Sequence, residues 1–435
     1  MTGSTIIAPA TAPGRGGISV IRISGPESLV VAKKLCGELE EPWKFKHCKI
    51  KNQEGVVLDV GLVVFFKSPH SYTGEDVVEI HGHGNPRLVD LIVAEGIAFG
   101  AEVAAPGEFT KRAYLNNKID LAQAESVADL IAAQTEEAAL AAHNSLSGGF
   151  SSDINDCIDS LVASRSFVEA SLDFPEEEIE GKDLARVCDE IKSQLDFVEN
   201  TLTSAKKGVL VREGFSVAIV GPPNAGKSTL LNALAKKDLA ITSGLAGTTR
   251  DSIKADLNLG GVVVEFVDTA GLRKEPDNEI EEEGIKRAKS ALEEANLVLC
   301  VFDATKQEEL ELINKDTIIV FNKCDLLGEV PKEVGGEVFV SAEMGFGLDN
   351  LVELILVRLG VGGETSLLSR RRHVTSLQEC RDSLFGALSS LEGGEGLELV
   401  AENLLSAQGC LGGIMRPVSS DDLLGKIFSE FCIGK

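Results

Sequence analysis

The sequence predicts a multidomain protein of the α/β and α classes: an α+β domain at the N-terminus, a helical domain built from two chain segments, and an α/β domain inserted between those segments. Three observations carry this expectation. Apolar strands, each followed by a loop or helix-like stretch, run from Phe215 to Gly360, which implies a mostly parallel sheet covered on both faces. Helical sequence flanks that stretch on both sides. Residues 1–117 instead mix short β-like runs with Gly and Pro punctuation. The expected boundaries are 1–117, 118–211, 212–360 and 361–435.

In chain order, ISVIRI (18–23) and LVVFF (62–66) read as strands, and one helix is expected around Arg87–Ala98. From Asp120 the texture changes. DLAQAESVADLIAAQTEEAALAAHNSL holds no Gly or Pro, and Leu121, Ala124, Ala128 and Ile131 fall on one helical face, so a long helix begins there. After the acidic turn FPEEEIEG (174–181), helix-like sequence continues to about Ala205. The α/β stretch contributes FSVAIV, then IKADLNL and VVVEFVD joined by Gly260-Gly261, then NLVLCVFD, TIIVFN and EVFVSA. The Gly-Gly pair signals a hairpin, which would place one antiparallel strand at the sheet edge. From Ser366 onward the sequence is helical again, with breaks expected at GGEG (393–396), QGCLGG (408–413) and Pro417.

Composition narrows the function classes. With 43% hydrophobic and 25% charged residues, the chain is neither disordered nor collagenous. Its 68 acidic against 42 basic residues give a formal charge of −26, so any contact with a polyanion must use a local basic patch, a metal ion or a partner. The one dense basic run, Arg370-Arg371-Arg372, reads as a solvated face rather than a nucleic-acid site. Nine scattered cysteines without a C-x-x-C pair argue against a disulfide framework or a zinc knuckle. His81 and His83 lie two apart in HGHG, a spacing that fits no helical zinc pair, and a Gly-loop role is expected. The opening residues lack a basic region followed by an apolar one, and no run is long enough to span a bilayer, so the expected compartment is the cytosol, with no membrane contact.

The chemistry is concentrated in the α/β stretch. GPPNAGKST (221–229) follows the strand FSVAIV and opens a helical run, the setting in which G-x-x-x-x-G-K-[ST] cradles a phosphate. Backbone N–H groups close on the anion, Lys227 reaches the outer phosphates, and the Ser228 hydroxyl can ligate magnesium. Thr248-Thr249 in GTTRD could complete that coordination. DTAG (268–271) ends the strand VVVEFVD, putting Asp268 near the metal and the Gly271 amide near the γ-phosphate. NKCD (322–325) ends the strand TIIVFN, and SAE (341–343) ends EVFVSA. Asp325 can accept both the N1–H and the 2-amino group of guanine, a donor pair that adenine lacks, which selects GTP over ATP.

Two residues depart from the common pattern. Leu272 stands where many GTPases place the glutamine that orients water, so another polar group must do so, and NEIEEEG (278–284) supplies glutamates. Asn224 lies inside the phosphate loop and faces a switch loop carrying Ser243, Leu245 and Thr248. Together these oxygens could cage a monovalent cation beside the phosphates, supplying positive charge where an arginine finger otherwise sits.

These residues resemble one family closely, the MnmE (TrmE) tRNA-modification GTPases. The likeness covers nearly the whole chain: PGRGG with IRISG (13–25), SYTGEDVVEIHGHG (71–84), PGEFTKRAYLNNKIDLAQAE (106–125), DFPEEEIE (173–180), the nucleotide motifs, and DDLLGKIFSEFCIGK (421–435). It implies a folate-binding, dimerising N-terminal domain and an inserted Ras-like P-loop G domain. It also implies a heterotetramer with the flavoprotein MnmG (GidA), and modification of C5 of the wobble uridine of certain tRNAs. The one-carbon donor would be 5-formyltetrahydrofolate or 5,10-methylenetetrahydrofolate.

Carried over residue by residue, the GTP contacts are Asn224, Ala225, Gly226, Lys227, Ser228 and Thr229, then Ser243, Gly244, Leu245, Ala246, Gly247, Thr248 and Thr249, then Asp268, Thr269, Ala270 and Gly271, and finally Asn322, Lys323, Asp325, Ser341 and Ala342. Magnesium would fall on Ser228 and Thr249, and potassium on Asn224, Ser243, Leu245 and Thr248. Folate contacts map to Arg22, Glu79, Lys118 and Lys435. The catalytic glutamate aligns with Glu281 across a one-residue insertion, which leaves Glu279, Glu282 and Glu283 as alternatives. Cys432 in FCIGK is either a nucleophile, since a thiolate can add to C6 of uracil, or a small buried apolar residue.

A GTP-dependent binding switch, such as a ribosome-assembly GTPase, is the competing class. Such relatives carry KH-like or basic C-terminal modules, whereas this tail is helical and ends in FCIGK.

Overall fold

The computed structural model of the chain describes residues 3–39, 41–173, 181–236, 254–268, 292–306, 316–327, 337–360, 369–394, 396–416, 421–429, 431 and 434. It forms two compact units. One comprises Met1–Ala128, Leu146–Glu178 and Gly394–Lys435, the other Asp129–Ser145 and Ile179–Gly393.

The first unit begins with β1 (Ile6–Pro9), β2 (Gly16–Ser24), α1 (Ser28–Cys36), β3 (Lys46–Lys51), β4 (Val57–Phe66), β5 (Val77–Gly84), α2 (Pro86–Ala98), β6 (Glu102–Val103) and α3 (Glu108–Leu115). The strands make a six-stranded sheet in the order β3-β4-β5-β2-β1-β6. Successive residues of a strand face opposite sides. Ile21 and Ile23 of β2 therefore enter the core with Val31 and Leu35 of α1 and Ile92 of α2, while Arg22 between them faces the other way. Pro86 opens α2 behind Asn85, whose Oδ1 accepts from the Arg87 amide at 3.0 Å. Among residues 1–117 this is the one helix expected from the sequence. Helices α1 and α3 are the difference, each only two to three turns long, and α1 carries the β-branched pair Val30-Val31.

The long helix expected from Asp120 is two helices, α4 (Leu121–Ala132) and α5 (Glu136–Leu146). Thr135 starts the second: its Oγ1 accepts from the Ala138 amide at 3.1 Å, and Glu136 and Glu137 sit at the positive end of the helix dipole. Leu121 and Ala124 are buried as expected, whereas Ile131 is exposed. α6 (Gly149–Asp173) and α7 (Gly181–Glu213) follow, the latter running eight residues past the expected Ala205.

The second unit holds β7 (Phe215–Val220), α8 (Lys227–Leu234), β8 (Lys254–Leu259), β9 (Val262–Asp268), β10 (Leu297–Asp303), β11 (Thr317–Asn322), β12 (Glu337–Val340) and α9 (Leu348–Arg358). Its sheet has the order β12-β11-β10-β7-β9-β8, parallel throughout except for β8 at the edge. Gly260 and Gly261 both take positive φ, which a two-residue hairpin turn requires and a side chain would resist. The core of Val217, Ile219, Leu299, Val301, Ile318 and Val320 packs against Leu230 and Leu234 of α8 and Leu351 and Ile355 of α9.

α10 (Arg371–Gly393) pairs with α7 in this unit, and α11 (Leu397–Met415) pairs with α6 in the first. The expected break at QGCLGG does not occur, since α11 runs straight through it. Glycine costs a helix only about 1 kcal/mol relative to alanine, and Leu404, Ala407, Leu411 and Ile414 bury one continuous face that runs through it. The helix ends at Met415, two residues before Pro417. α12 (Asp421–Ser429) packs Ile427 and Phe428 on Leu121 and Ala124. No described helix is long and apolar enough to cross a membrane.

Candidate nucleotide-binding site

In the second unit the carboxyl ends of β7, β10, β11 and β12 lie side by side, the edge of a parallel sheet where ligands bind. The loop after β7 is shaped by three positive φ angles, at Gly221, Asn224 and Gly226. A Cβ at Gly221 would collide with the Val301 carbonyl of β10, so this loop can start so close to the sheet only as glycine. Gly226 caps α8 in the left-handed conformation, which points the first-turn N–H groups, which lack helical acceptors, into the loop. Lys227 folds back across it, its Nζ donating to the carbonyls of Gly221 at 2.8 Å and Pro222 at 3.0 Å. Ser228 and Thr229 are exposed at the start of α8. Asn224 is exposed, in a left-handed conformation that asparagine tolerates better than most residues.

The two guanine-reading motifs are tied to this loop by one buried side chain. Asn322, only 2% exposed, donates from Nδ2 to the Ala225 carbonyl at 3.0 Å and accepts at Oδ1 from the Ala342 amide at 3.1 Å. A Cβ at Gly226 would collide with that Nδ2, so the glycine makes room for the asparagine. Ser341 is buried and its Oγ accepts from the Met344 amide at 3.2 Å, holding the SAE turn closed. Asp325 stands exposed on the 3-10 turn Cys324–Leu326, while its neighbour Cys324 is buried, which pushes its thiol pKa up.

Lys323 takes a left-handed φ of 65°. Its Nζ donates to the Asn224 carbonyl at 2.8 Å and to Oδ2 of Asp303 at 2.7 Å. The other oxygen of Asp303 accepts from the Thr305 amide at 3.0 Å and the Thr305 hydroxyl at 2.7 Å. The Lys323 ammonium, and then the Thr305 hydroxyl, hold the Asp303 carboxyl down at about 2 against the opposing effect of burial. In the sequence, Asp303 only closes the apolar strand NLVLCVFD and belongs to none of the nucleotide motifs. The available signal is an acid closing an otherwise apolar strand, level with NKCD in the next.

Asp268 ends β9 beside β7, in register with Ile219. Ser243, Gly244, Leu245, Ala246, Gly247, Thr248 and Thr249 lie outside the described residues, as do Thr269, Ala270, Gly271, Leu272, Glu279, Glu281, Glu282, Glu283, Cys432 and Lys435.

A second constellation stands on the N-terminal sheet. Arg22 of β2 and Glu79 of β5 are register partners, joined at one carboxylate oxygen, which accepts from Nε at 2.9 Å and makes an ion pair with Nη2 at 2.8 Å. The guanidinium lies over the Tyr72 ring, 5.1 Å from its centroid, and burial pushes the Tyr72 phenol up. Trp43, Phe66, His70, Tyr72 and Glu79 line a cavity of about 370 Å³ beside the pair. Lys118 Nζ donates to the Pro69 carbonyl at 3.0 Å, one residue from the His70–Tyr72 wall of that cavity.

Two expectations are corrected here. His81 and His83 lie in strand β5, not in a loop. His81 sits 3.4 Å from Glu79 and edge-on to Phe45, and His83 Nδ1 is 2.8 Å from Asp59. Among the described residues no cluster suited to a metal ion occurs, and the described cysteines are free. The basic run is not a solvated face as a whole. Arg370 is buried and its Nη2 donates to Oδ1 of Asp129 at 2.9 Å, where Arg212 Nε also donates at 2.9 Å, and Arg371 pairs with Glu213.

Comparison with known proteins supplies the family. The MnmE helical domain family matches residues 121–432, and the family described as GTP-binding protein TrmE N-terminus matches residues 5–118. Over 451 aligned residues, with all of both chains covered, the chain is 45% identical to tRNA modification GTPase MnmE of Francisella tularensis subsp. tularensis (strain WY96-3418). It is 44% identical, again over the full length of both, to the protein of the same name from Francisella philomiragia subsp. philomiragia. Among solved structures, the G domain of the T. maritima FeoB iron transporter aligns at 26% identity over 33% of this chain and 98% of that one, with a TM-score of 0.26.

Proposed function

This chain belongs to the MnmE (TrmE) family of tRNA modification GTPases, and on that premise we propose a potassium-activated GTP hydrolase that acts with a flavin-dependent partner, MnmG (GidA). Together they would add a carboxymethylaminomethyl or aminomethyl group to C5 of the wobble uridine (U34) of certain tRNAs, using a tetrahydrofolate one-carbon unit. The observation that carries the nucleotide part is the Asn322 side chain, which joins the phosphate loop at Ala225 to the SAE turn at Ala342.

In this reading the N–H groups at the start of α8 and the Lys227 ammonium receive the β- and γ-phosphates, and Asp325 and the SAE turn receive guanine. The donor set suits a hard cation: the Ser228 hydroxyl stands exposed at the helix start, where it would hold magnesium together with Thr249. Magnesium there supplies charge neutralisation for the transferring phosphoryl group. Asn224, with Ser243, Leu245 and Thr248, would hold potassium, and Glu281 would orient the attacking water in place of the glutamine that Leu272 displaces.

On the N-terminal sheet, Arg22 and Glu79, with Lys118 and Lys435, would bind the folate. A carboxylate suits the ring N–H donors and cations suit the glutamate tail, while the Trp43, Phe66 and Tyr72 rings offer a stacking surface for a flat heterocycle. A cytoplasmic homodimer, assembled with the flavoprotein into a heterotetramer, completes the proposal.

Mass spectrometry of tRNA nucleosides from cells lacking the protein tests it. Loss of C5-modified wobble uridines is expected, with restoration by the wild-type gene and not by a Lys227→Ala variant. Unchanged nucleosides in the deleted strain would overturn the modification reading.

A further inference from the structure

Asp303 closes β10 directly beside Asn322 of β11, its register partner. Its residue is 4% exposed, and its two carboxylate oxygens have divided tasks. Oδ1 takes both Thr305 donors, which fixes the turn after the strand. Oδ2 takes the Lys323 ammonium alone among the bonds described above, and that ammonium in turn holds the Asn224 carbonyl. A continuous path therefore runs from the end of β10, through the guanine-reading motif, to the middle of the phosphate loop.

We propose that Asp303 is a positioning residue for GTP binding, clamping Lys323 so that it fixes both the guanine-reading turn and Asn224 of the phosphate loop. The inference rests on the GTPase reading above and extends it to a residue outside the nucleotide motifs. Two positions along this path are non-glycine residues in the left-handed region, Asn224 and Lys323, both at a φ of 65°. Such conformations persist only where the surroundings hold them, and the Lys323 ammonium links the two directly. A lysine on a flexible four-carbon stem loses rotamer freedom when it orders. A buried carboxylate that orders it in advance leaves less to be lost when nucleotide binds.

The discriminating variant is Asp303→Asn. Its side-chain oxygen can still accept from Thr305, but the group facing Lys323 becomes an amide donor, so the clamp alone is removed. Binding of a fluorescent GTP analogue to the full chain should weaken by about 10- to 100-fold, the size expected for a hydrogen bond to a charged group. The rate constant at saturating GTP should fall by less than about threefold, because the loss lies in binding rather than in the transition state alone. Asp303→Glu, which keeps the carboxylate, should recover much of the affinity. In a Lys323→Ala background, Asp303→Asn should weaken binding by less than about twofold, since the group it acts through is gone.

Equal affinity of wild type and Asp303→Asn would overturn the proposal, as would the same loss with and without Lys323, which would mark Asp303 as merely structural. A wild-type chain that bound no GTP would remove the GTPase reading and the proposal together, so the two failures are distinguishable. Should Asp303→Asn not fold, as judged by thermal denaturation, Asp303→Ser serves in the same cycle with the same outcomes deciding.

Discussion

Asn322 Nδ2 donates to the Ala225 carbonyl at 3.0 Å while its Oδ1 accepts from the Ala342 amide, so one buried side chain fixes the distance between the phosphate loop and both guanine-reading turns. Asn322→Asp replaces the donor with a second acceptor facing a carbonyl oxygen. A buried group left without its partner costs about 1–3 kcal/mol, more when charged. Asn322→Asp should therefore lower GTP affinity by about tenfold or more and reduce thermal stability. Gly226→Ala should act on the same contact from the other side, because its Cβ would collide with Asn322 Nδ2 at a positive φ of 91°. Isothermal titration with GDP checks both, and wild-type affinity in either variant would remove Asn322 as the link.

Base specificity should follow Asp325, which closes NKCD and stands exposed on the 3-10 turn Cys324–Leu326. Asp325→Asn should weaken GTP binding and favour xanthosine triphosphate, because xanthine presents an acceptor where guanine presents an amino donor. Competition between the two nucleotides measures it. An unchanged preference contradicts the assignment.

Hydrolysis should depend on potassium, since Leu272 cannot orient water and Asn224 supplies a side-chain oxygen in the phosphate loop. Replacing K⁺ by Na⁺ should slow turnover by orders of magnitude, on the scale of the roughly 10³- to 10⁵-fold effect of an arginine finger. Asn224→Ala should abolish the difference between the two salts. Equal rates for the wild type in both salts would remove the cation cage.

GTP hydrolysis and the tail should be separable. Glu281→Ala should cut kcat by about 10²-fold with little change in GTP affinity, as for a group that acts mainly in the transition state. The same phenotype at Glu279 or Glu282 would shift the register across the insertion. Cys432→Ser keeps the side chain's size but removes an ionisable thiol, so it should leave potassium-stimulated hydrolysis near normal while tRNA modification is lost. Loss of both activities would point to a structural cysteine.

What could be read from the sequence divides along physical lines. The strands of the second unit and the Gly260-Gly261 hairpin were readable because a buried parallel strand is a continuous apolar run, and because a tight turn with positive φ calls for glycine. The loop Gly221–Gly226 carried its own strand–loop–helix context. The break at Thr135 was missed because a helix can end without Gly or Pro when the next residue begins a new cap. The false break at QGCLGG was the converse, glycine tolerated where tertiary burial of Leu404 and Leu411 outweighs propensity. Asp303 and Asp129 were invisible for a third reason. Each gains its meaning only from residues distant in sequence, Lys323 for the first and Arg212 and Arg370 for the second.

That last cluster yields a stability prediction. Asp129 Oδ1 accepts from Arg212 Nε and Arg370 Nη2, both at 2.9 Å. The side chains of Asp129 and Arg370 are 9% and 11% exposed, so the charges are largely removed from water, whereas Arg212 at 27% retains solvent contact. Breaking a buried pair by removing one partner leaves the other charge uncompensated, at a cost of about 3–5 kcal/mol. Asp129→Ala would take from the Arg370 guanidinium its hydrogen bond to the Asp129 carboxylate and should lower the melting temperature by several degrees. Arg370→Ala should cost less, because Asp129 keeps Arg212. The double variant should be less damaging than the sum of the two, with a coupling of about 1 kcal/mol or more. Additive effects in that cycle would mean that Asp129 and Arg370 do not stabilise one another.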